Sequence, residues 1–434
     1  MNRQSWTYAF VLLAAILLKA QDVQLVAPEN PGNAVANPSV QFVALLRQAE
    51  SGDPHAQSRV GNAYYTGVGV AKNEAEAERW WLQAAQKGIA EAQNRMGYLY
   101  EQGMVVPKDY GEATRWFSSA AEQKLPKAQY NLAYMYAHGE GLPLDYARAA
   151  DLYRQAAAQG LARARTSLGV AYKFGNGVPR NVTEAFKLFQ LAAEQGEPSA
   201  QHNLGTMYFQ GNGTKQNYAE ALKWFSQAAS RGIVEASFSL GHMYEYGNGV
   251  HRDSVRAAGL YLLAAEQGLA VAQLELAYLY KTGKGVRQDD FEAAKWLLRA
   301  AEQGHPTAQN ALGYMYYQGT GVRRDYRQAA DWFRRAAEQN CAQAQFNLGV
   351  LYQTGLGVPL NYGEAYKWFT LAIQGGYADG RRVLEALTQI MTKPQLRDGK
   401  ASISDWVSHH NNPALATQKA EPGEQDSYTA AARP

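Results

Sequence analysis

The chain has 434 residues, and its 42 Lys and Arg nearly balance its 39 Asp and Glu. A formal net charge of +3 without a basic run argues against a surface that follows a phosphate backbone, so nucleic acid is not an expected partner. Cys341 is the only cysteine, which excludes a disulfide within the chain.

Residues 1–20 are predicted to be an export segment. Arg3 supplies positive charge, and the apolar run from Tyr8 to Leu18 follows it. This run is short for a bilayer span and is typical of a secretory signal peptide. The residues after the run make a poor cleavage site, so an uncleaved N-terminal anchor is the alternative.

Residues 21–38 contain several prolines and little apolar periodicity, and we expect a flexible linker there. The next segment, VQFVALLRQAE, has the apolar spacing of a helix. It predicts an N-terminal capping helix over 39–52.

A pattern of 36 residues then recurs nine times over 53–376, without an insertion or a deletion. Its most regular member is a tyrosine, which falls at Tyr64, Tyr100, Tyr136, Tyr172, Tyr208, Tyr244, Tyr280, Tyr316 and Tyr352. A period of this size predicts a solenoid, in which stacked helix pairs bury a continuous core.

Each repeat is predicted to form two helices joined by a tight loop. In the eighth repeat, Leu312 and Tyr316 share one face of the first helix. Gly313 lies beside them, and because glycine weakens a helix, its recurrence indicates that a neighbouring helix approaches closely. Gly319 supplies a left-handed C-cap, and Asp325 caps the start of the second helix. In the second repeat, Val105 replaces a loop glycine, so a different loop is expected there.

After the repeats, residues 377–410 are predicted to form C-terminal capping helices, which cover the open end of the core. Residues 411–434 are polar and are predicted to be disordered.

The repeat combines three short motifs in a fixed order. They are Ala-x-x-x-Leu-Gly-x-x-Tyr, then Gly-x-Gly-Val, then Asp-Tyr-x-x-Ala-x-x-Trp-x-x-x-Ala-Ala-Glu-x-Gly. This order resembles the Sel1-like repeat (SLR) family, a relative of the tetratricopeptide repeat. The resemblance implies an all-α fold, a right-handed α-solenoid superhelix of helix-turn-helix 36-residue repeats whose first helices line the concave side. It also implies a scaffold or adaptor role.

By the same resemblance, three columns of the first helices face the groove, and they are rich in aromatic side chains. The predicted ligand-binding residues on this concave face are Tyr98, Tyr130, Asn131, Tyr134, Asn203, Phe209, Phe238, Tyr278, Tyr314, Tyr317, Phe346 and Asn347. The three asparagines match the position at which related repeats hold a peptide backbone. The alternative is that the aromatic side chains pack against the neighbouring repeat of a tightly wound superhelix.

The chain has no sequence motif of a serine hydrolase, a nucleotide-binding enzyme or a zinc peptidase. We therefore predict no enzymatic activity, no catalytic residue, no cofactor and no metal. His202 and His242 are expected on adjacent first helices, with Glu245 close in sequence, but zinc needs three or four converging ligands. Ordinary surface histidines are the simpler interpretation.

The leading hypothesis is an exported, non-enzymatic scaffold that binds a protein or an extended peptide in its aromatic-lined groove. We expect it in the periplasm or secreted, or, if the N-terminal segment stays uncleaved, anchored in the inner membrane and facing the periplasm. The second hypothesis is a glycan-binding scaffold of an exopolysaccharide or cell-wall assembly system. The third is a hydrolase, which no motif supports.

Overall fold

The computed structural model describes residues 39–410, and the described residues form 21 α-helices and no strands. The predicted export segment (1–20), linker (21–38) and polar tail (411–434) lie outside the described residues. The all-α class and the tandem helix-pair repeat are confirmed.

The described helices belong to two units, an N-terminal unit (39–145) and a C-terminal unit (146–410). The N-terminal unit holds α1 (Val40–Glu50), α2 (Pro54–Thr66), α3 (Glu74–Gln86), α4 (Ala90–Gln102), α5 (Tyr110–Glu122) and α6 (Pro126–His138). The C-terminal unit begins with α7 (Tyr146–Ala158), α8 (Ala162–Phe174), α9 (Val182–Glu194), α10 (Pro198–Gln210), α11 (Tyr218–Ser230), α12 (Val234–Tyr246) and α13 (Ser254–Glu266). It continues with α14 (Ala270–Thr282), α15 (Asp290–Glu302), α16 (Pro306–Gln318), α17 (Tyr326–Glu338), α18 (Ala342–Thr354), α19 (Tyr362–Gln374), α20 (Gly380–Ile390) and α21 (Lys393–His410). The even-numbered helices from α2 to α18 are the first helices of the repeats, and the odd-numbered helices from α3 to α19 are the second helices.

The second helices begin at Asn or Asp residues whose side chains cap them. Oδ1 of Asn217 accepts hydrogen bonds from the backbone N–H groups of Ala219 and Glu220, at 3.1 and 3.2 Å. Similar caps begin α3, α5, α9, α13, α15, α17 and α19. The first helix α10 ends at Gly211, which has a left-handed φ of 69°. Both predicted boundary signals are confirmed, and they set the length of each helix.

Within a pair, the glycine of the first helix lies against a buried ring of the second helix. A Cβ atom on Gly313 would lie 2.8 Å from Cδ1 of Phe333, which is closer than packing allows. The predicted close approach is therefore confirmed, and a ring of the same repeat causes it. In the seventh repeat, Ala277 replaces the glycine and Leu297 replaces the ring. The methyl group that Ala277 adds is therefore accompanied by a smaller side chain, Leu297, on the second helix.

Buried glutamines link consecutive repeats, a feature that the sequence analysis missed. Nε2 of Gln309 donates to the carbonyl of Ala301, in the last turn of the preceding second helix, at 3.1 Å. Oε1 of Gln309 accepts from Nε2 of Gln339, at 2.8 Å. The bond to the preceding carbonyl recurs at Gln57, Gln93, Gln201, Gln273 and Gln345. Because the acceptor is a backbone carbonyl, this bond does not depend on the side chain of the preceding repeat.

Val105 occupies a position that other repeats give to glycine. Its φ of 66° matches those of Gly69 and Gly141, at 76° and 69°. The loop that was expected to differ therefore keeps the left-handed backbone conformation at this position. A β-branched side chain is strained in that conformation.

The terminal helices pack against the repeat next to them. In α1, the ring of Phe42 lies 5.3 Å from that of Tyr64. In α21, the ring of Trp406 lies 6.5 Å from that of Trp368 on α19. Among the helices of 39–410, none is both long enough and apolar enough to cross a membrane.

Candidate binding face

All twelve predicted site residues lie on first helices. In the N-terminal unit these are Tyr98 on α4 and Tyr130, Asn131 and Tyr134 on α6. In the C-terminal unit these are Asn203 and Phe209 on α10, Phe238 on α12, Tyr278 on α14, Tyr314 and Tyr317 on α16, and Phe346 and Asn347 on α18.

The twelve residues differ in how much surface they offer. Tyr278 and Tyr314 are the most exposed, at 48% and 40%. Tyr130 and Asn203 are buried, and the other eight are half-buried. The two buried residues have little surface with which to contact a partner.

The predicted backbone-binding asparagines make hydrogen bonds inside the protein. In the N-terminal unit, Nδ2 of Asn131 donates to Oδ1 of Asn94 on the preceding first helix, at 2.9 Å. In the C-terminal unit, Nδ2 of Asn347 donates to Oδ1 of Asn310 at the same distance of 2.9 Å. Asn203 instead donates to the carbonyl of Ser199 in its own helix. Two of the three therefore join neighbouring repeats.

In the N-terminal unit, the half-buried ring of Tyr134 stacks on that of His138, with centroids 3.8 Å apart. Both residues belong to α6, one helical turn apart.

In the C-terminal unit, aromatic side chains continue across four first helices. We call this set the aromatic face, and it consists of Phe209, His242, Tyr246, Tyr278, Tyr314 and Tyr317. The ring of His242 lies 5.8 Å from that of Phe209 and 4.5 Å from that of Tyr246. The rings of Tyr314 and Tyr317 are stacked 6.4 Å apart.

Two lysines lie over tyrosines of the aromatic face. Nζ of Lys284 is 5.1 Å from the ring centroid of Tyr278, within the range of a cation–π interaction. Nζ of Lys281, on α14, is 5.8 Å from the ring of Tyr314 on α16. Lys281 therefore joins the first helix of the seventh repeat to an aromatic side chain of the eighth.

Phe346 lies outside the aromatic face because its ring packs against the second helix of its own repeat and the segment that follows that helix. Its ring is 5.3 Å from that of Phe369 and 4.8 Å from that of Tyr377. The alternative interpretation placed such rings against a neighbouring repeat, whereas these two contacts lie within the ninth repeat and the segment that ends it.

Two carboxylates, Glu245 and Glu275, lie on first helices that also carry residues of the aromatic face. Glu245 on α12 is only 4% exposed, and its Oε2 accepts a 2.8 Å hydrogen bond from the hydroxyl of Tyr261. Burial, and then the charge of Glu245, raise the pKa of Glu275 on α14. The charge of Glu245 is also the largest cause that raises the pKa of Tyr246. These four groups therefore share one electrostatic environment.

Tyr246 and Glu275 were not predicted from the sequence, and Glu245 was considered only as a weak metal ligand. For Glu245, the signal in the sequence was a charged residue at a repeat position that holds an aromatic residue in another repeat. Glu245 and Lys281 occupy the column that holds Phe209 in the fifth repeat.

His202 and His242 occupy different environments. His202 is buried, and its Nε2 lies 3.3 Å from Oγ of Ser239. Its burial, with a smaller contribution from the charge of Lys173, lowers its pKa to about 4. Burial also lowers the pKa of His242, and Glu245 opposes that shift. Within the part of the chain that the structure describes, no three His, Cys, Asp or Glu side chains are grouped to hold a metal ion.

The tandem helix pairs and their capped 36-residue period define an all-α solenoid repeat protein. Nine consecutive segments match the family model described as Sel1 repeat: 54–89, 90–125, 126–161, 162–197, 198–233, 234–269, 270–305, 306–341 and 342–377. The chain therefore belongs to the Sel1 repeat family. Proteins of this family are typically protein-interaction scaffolds.

Solved structures of other repeat proteins resemble the chain. A Sel1 repeat protein from Oxalobacter formigenes is 34% identical, with a TM-score of 0.54 and coverage of 72% of this chain and 90% of that chain. A protective antigen present in uropathogenic Escherichia coli strains, displaying an SLR fold, is 30% identical, with a TM-score of 0.42 and coverage of 88% and 98%. A putative Sel1 repeat protein from Klebsiella pneumoniae is 22% identical, with a TM-score of 0.34 and coverage of 46% and 98%. No curated protein matches the chain at a significant level.

Proposed function

We propose that this chain is a non-enzymatic, exported scaffold that binds a protein partner, as an extended segment or a protruding loop, along its aromatic face. The observation that supports this proposal is the exposure of Tyr278 and Tyr314, at 48% and 40%. They occupy equivalent positions of successive first helices. Exposed aromatic side chains that cluster on one surface usually mark an interaction site.

The core does not need these two rings. The core of the seventh and eighth repeats is filled by buried alanines, leucines and tryptophans, such as Leu276, Leu312 and Trp332. The rings of Tyr278 and Tyr314 contact lysine side chains, which can move aside for a partner. Truncating the rings is therefore expected to cost binding rather than folding.

Site-specific photocrosslinking in the native host tests this proposal. A photoreactive phenylalanine replaces Tyr278 in one variant and Phe291 in the control. Phe291 is 67% exposed, but it lies on the second helix α15. We expect a protein adduct at position 278 and none at 291. Equal adducts at both positions would argue against a specific face.

The identified partner is then purified and its affinity is measured. The variant Tyr278→Ser/Tyr314→Ser should bind at least about 30-fold more weakly, since a buried aromatic anchor can contribute more than about 2 kcal/mol. Phe291→Ser should bind like the wild type. Unchanged affinity of the double variant would overturn the assignment of this face.

A glycan-binding scaffold is the second candidate. The rings of Tyr314 and Tyr317 are inclined by only 20°, so that they offer two nearly parallel faces. Such faces can stack on sugar rings. Soluble peptidoglycan or exopolysaccharide fragments should displace the protein partner if this candidate is correct, and should leave it bound if the first is correct.

Export to the periplasm or the cell exterior is part of the proposal, and the N-terminal sequence is its only support. The intact mass of the protein from its native host tests it. Loss of about twenty residues would support a cleaved signal peptide. A full-length mass in the membrane fraction would support the anchored alternative, and a full-length mass in the cytoplasmic fraction would overturn export.

A further inference from the structure

We propose that one edge of the C-terminal unit rests on the surface of an anionic phospholipid bilayer. This inference goes beyond the proposed function, because it concerns the loops inside the repeats and the starts of the second helices rather than the aromatic face. The edge belongs to four successive repeats, the fifth to the eighth, all within the C-terminal unit. We call it the loop edge, and it consists of Lys215, His251, Val255, Arg287, Phe291 and Arg323.

The loop edge carries a basic residue at the same position of four successive loops. In the fifth to eighth repeats this position holds Lys215, His251, Arg287 and Arg323, all of them exposed. Arg252 follows His251, so every one of the four loops contains a lysine or an arginine. The position is proline in four of the other five repeats. Proline suits a loop and carries no charge, so the loop itself does not require a basic side chain there.

Two second helices of the loop edge begin with the reverse of the usual polarity. The first residue of the second helix is tyrosine in five repeats, but it is Ser254 in the sixth and Asp290 in the seventh. The next residue is apolar and exposed in these two repeats, where Val255 is 63% and Phe291 is 67% exposed. The other seven repeats hold Ala, Gly, Thr or Arg at that position. Folding therefore does not account for these two side chains, because they place apolar surface in water.

The start of each of these two helices lies against the basic loop of the next repeat. A Cβ atom on Gly285 would lie 2.9 Å from the backbone nitrogen of Val255. The loop that carries Arg287 therefore packs on the start of α13. A Cβ atom on Gly321, in the loop that carries Arg323, would meet the carbonyl group of Asp290 at the start of α15. The apolar and the basic positions consequently belong to one surface.

An open recess joins the two kinds of side chain between the seventh and eighth repeats. Its volume is about 950 Å³, and the residues that line it include Phe291, Arg323 and Arg324. This space admits a phospholipid headgroup, whose phosphate can accept hydrogen bonds from the guanidinium groups. Phe291 then reaches the boundary between headgroups and acyl chains, where aromatic side chains of surface-bound proteins lie.

The charged side chains of the loop edge have no ionic partner within the part of the chain that the structure describes. Neither Arg287 nor Arg323 forms a salt bridge with any described residue. Oδ1 of Asp289 instead caps α15, accepting from the backbone N–H group of Phe291 at 3.0 Å, and Asp325 caps α17. The positive N-terminus of each second helix compensates the carboxylates of its cap and first turn, so that the arginines can bind lipid phosphates.

Two apolar side chains among basic loops suit a bilayer better than a protein partner. A stable protein interface buries about 800 Å² on each partner around an apolar core. A membrane surface requires less, because separate apolar side chains enter the interface while lysine and arginine attract anionic lipids. The loop edge supplies these two elements in the same repeats.

Photocrosslinking to vesicles tests the proposal with the purified full chain. A photoreactive phenylalanine replaces Phe291 in one variant and Tyr278 in the control, and the vesicles contain phosphatidylglycerol and phosphatidylcholine in equal parts. Mass spectrometry should detect a phospholipid adduct at position 291 and none at 278. Because the adduct reports contact at one side chain, it does not depend on how the N-terminal segment meets the vesicle. Equal adducts at both positions, or an equal yield at 291 with phosphatidylcholine alone, would overturn the proposal.

Arg287→Gln/Arg323→Gln tests the basic loops. With anionic vesicles below saturation, it should lower the yield of lipid adduct at position 291 at least about fivefold, since even one basic residue near an anionic surface contributes that much. Arg381→Gln/Arg382→Gln is the matched control, because it removes the same charge from exposed positions of α20 and should leave the yield unchanged. Equal yields in the two double variants would overturn the role of the basic loops.

Phe291→Ala tests the apolar contact, with the photoreactive phenylalanine moved to position 255. It should lower the lipid adduct at least about tenfold, because a large apolar side chain no longer enters the interface. The melting temperature should not change, since alanine already occupies the same position at Ala147 and Ala219. Leu360→Ala removes an exposed apolar side chain from the loop of the ninth repeat and is the control. A yield in Phe291→Ala that matches this control would overturn the contact.

The loop edge and the aromatic face fail in different ways. A protein adduct at position 291 in the native host would assign the loop edge to a protein and overturn the lipid proposal. A lipid adduct at 291 without a protein adduct at 278 would support the lipid proposal and overturn only the function proposed for the aromatic face.

Discussion

The hydroxyl of Tyr261 donates a 2.8 Å hydrogen bond to Oε2 of Glu245, and both side chains are buried. Tyr261→Phe should destabilise the sixth repeat by about 1–3 kcal/mol, because it leaves a buried carboxylate without its donor. Hydrogen exchange of the α12 and α13 amides measures the loss locally. The double variant Glu245→Phe/Tyr261→Phe reproduces the Phe209 and Phe225 pair of the fifth repeat and should recover stability. Equal protection in Tyr261→Phe and the wild type would contradict the expectation.

Gly313 and Phe333 allow a test of size compensation. Gly313→Ala should cost about 1–3 kcal/mol, because the added methyl group would overlap the ring. Adding Phe333→Leu should recover part of the loss, as in the natural combination of the seventh repeat. Gly259→Ala is the control, since nothing lies within 4 Å of its added Cβ, and it should stabilise α13 by about 0.5–1 kcal/mol. Chemical denaturation compares the three variants, and a harmless Gly313→Ala would refute the packing argument.

Gln309 tests the junction between the seventh and eighth repeats. Gln309→Met keeps the length of the side chain but leaves the Ala301 carbonyl and the Gln339 amide without this partner. We expect a loss of about 1–3 kcal/mol and a less cooperative unfolding transition, because neighbour coupling stabilises repeat arrays. Gln328→Met, at an exposed position of α17, is the control and should be nearly neutral. A sharp, unshifted transition in Gln309→Met would show that the hydrogen bonds do not couple the repeats.

The buried His202 should make stability depend on pH in a defined window. Its folded-state pKa of about 4 lies below the ordinary 6.5, so the unfolded chain binds the proton first. The contribution of His202 to the free energy of unfolding is complete above pH 6.5 and is lost as the pH falls towards 4. The loss should be on the order of 3 kcal/mol.

His202→Leu should flatten this part of the curve, because leucine does not titrate. Leucine already occupies the same column of the seventh repeat, at Leu274, so the position accepts its shape. Urea denaturation at several pH values measures the difference between the two proteins. Parallel curves for both would rule out His202 as the titrating group.

The period, the caps and the close approach at Gly313 were predictable because each follows from local spacing or from a backbone requirement. The candidate face was predictable only as a set of columns. A column indicates which side of a helix a residue occupies, but not what the next repeat places opposite it. For this reason the internal hydrogen bonds of Asn131 and Asn347, the burial of Asn203, and the pairing of Glu245 with Tyr261 were not predicted.

The glutamine junction also bears on how such a chain can change its length. Seven of the nine repeats carry the glutamine, which Arg165 and Ser237 replace in the fourth and sixth repeats, and the acceptor is a main-chain carbonyl that every helix end presents. A repeat that is duplicated or deleted as a whole therefore meets a neighbour that it already fits. The ring and glycine that must match in size travel together inside the same copy. Array length can consequently vary by recombination in steps of one repeat, while the binding residues on each first helix diverge independently.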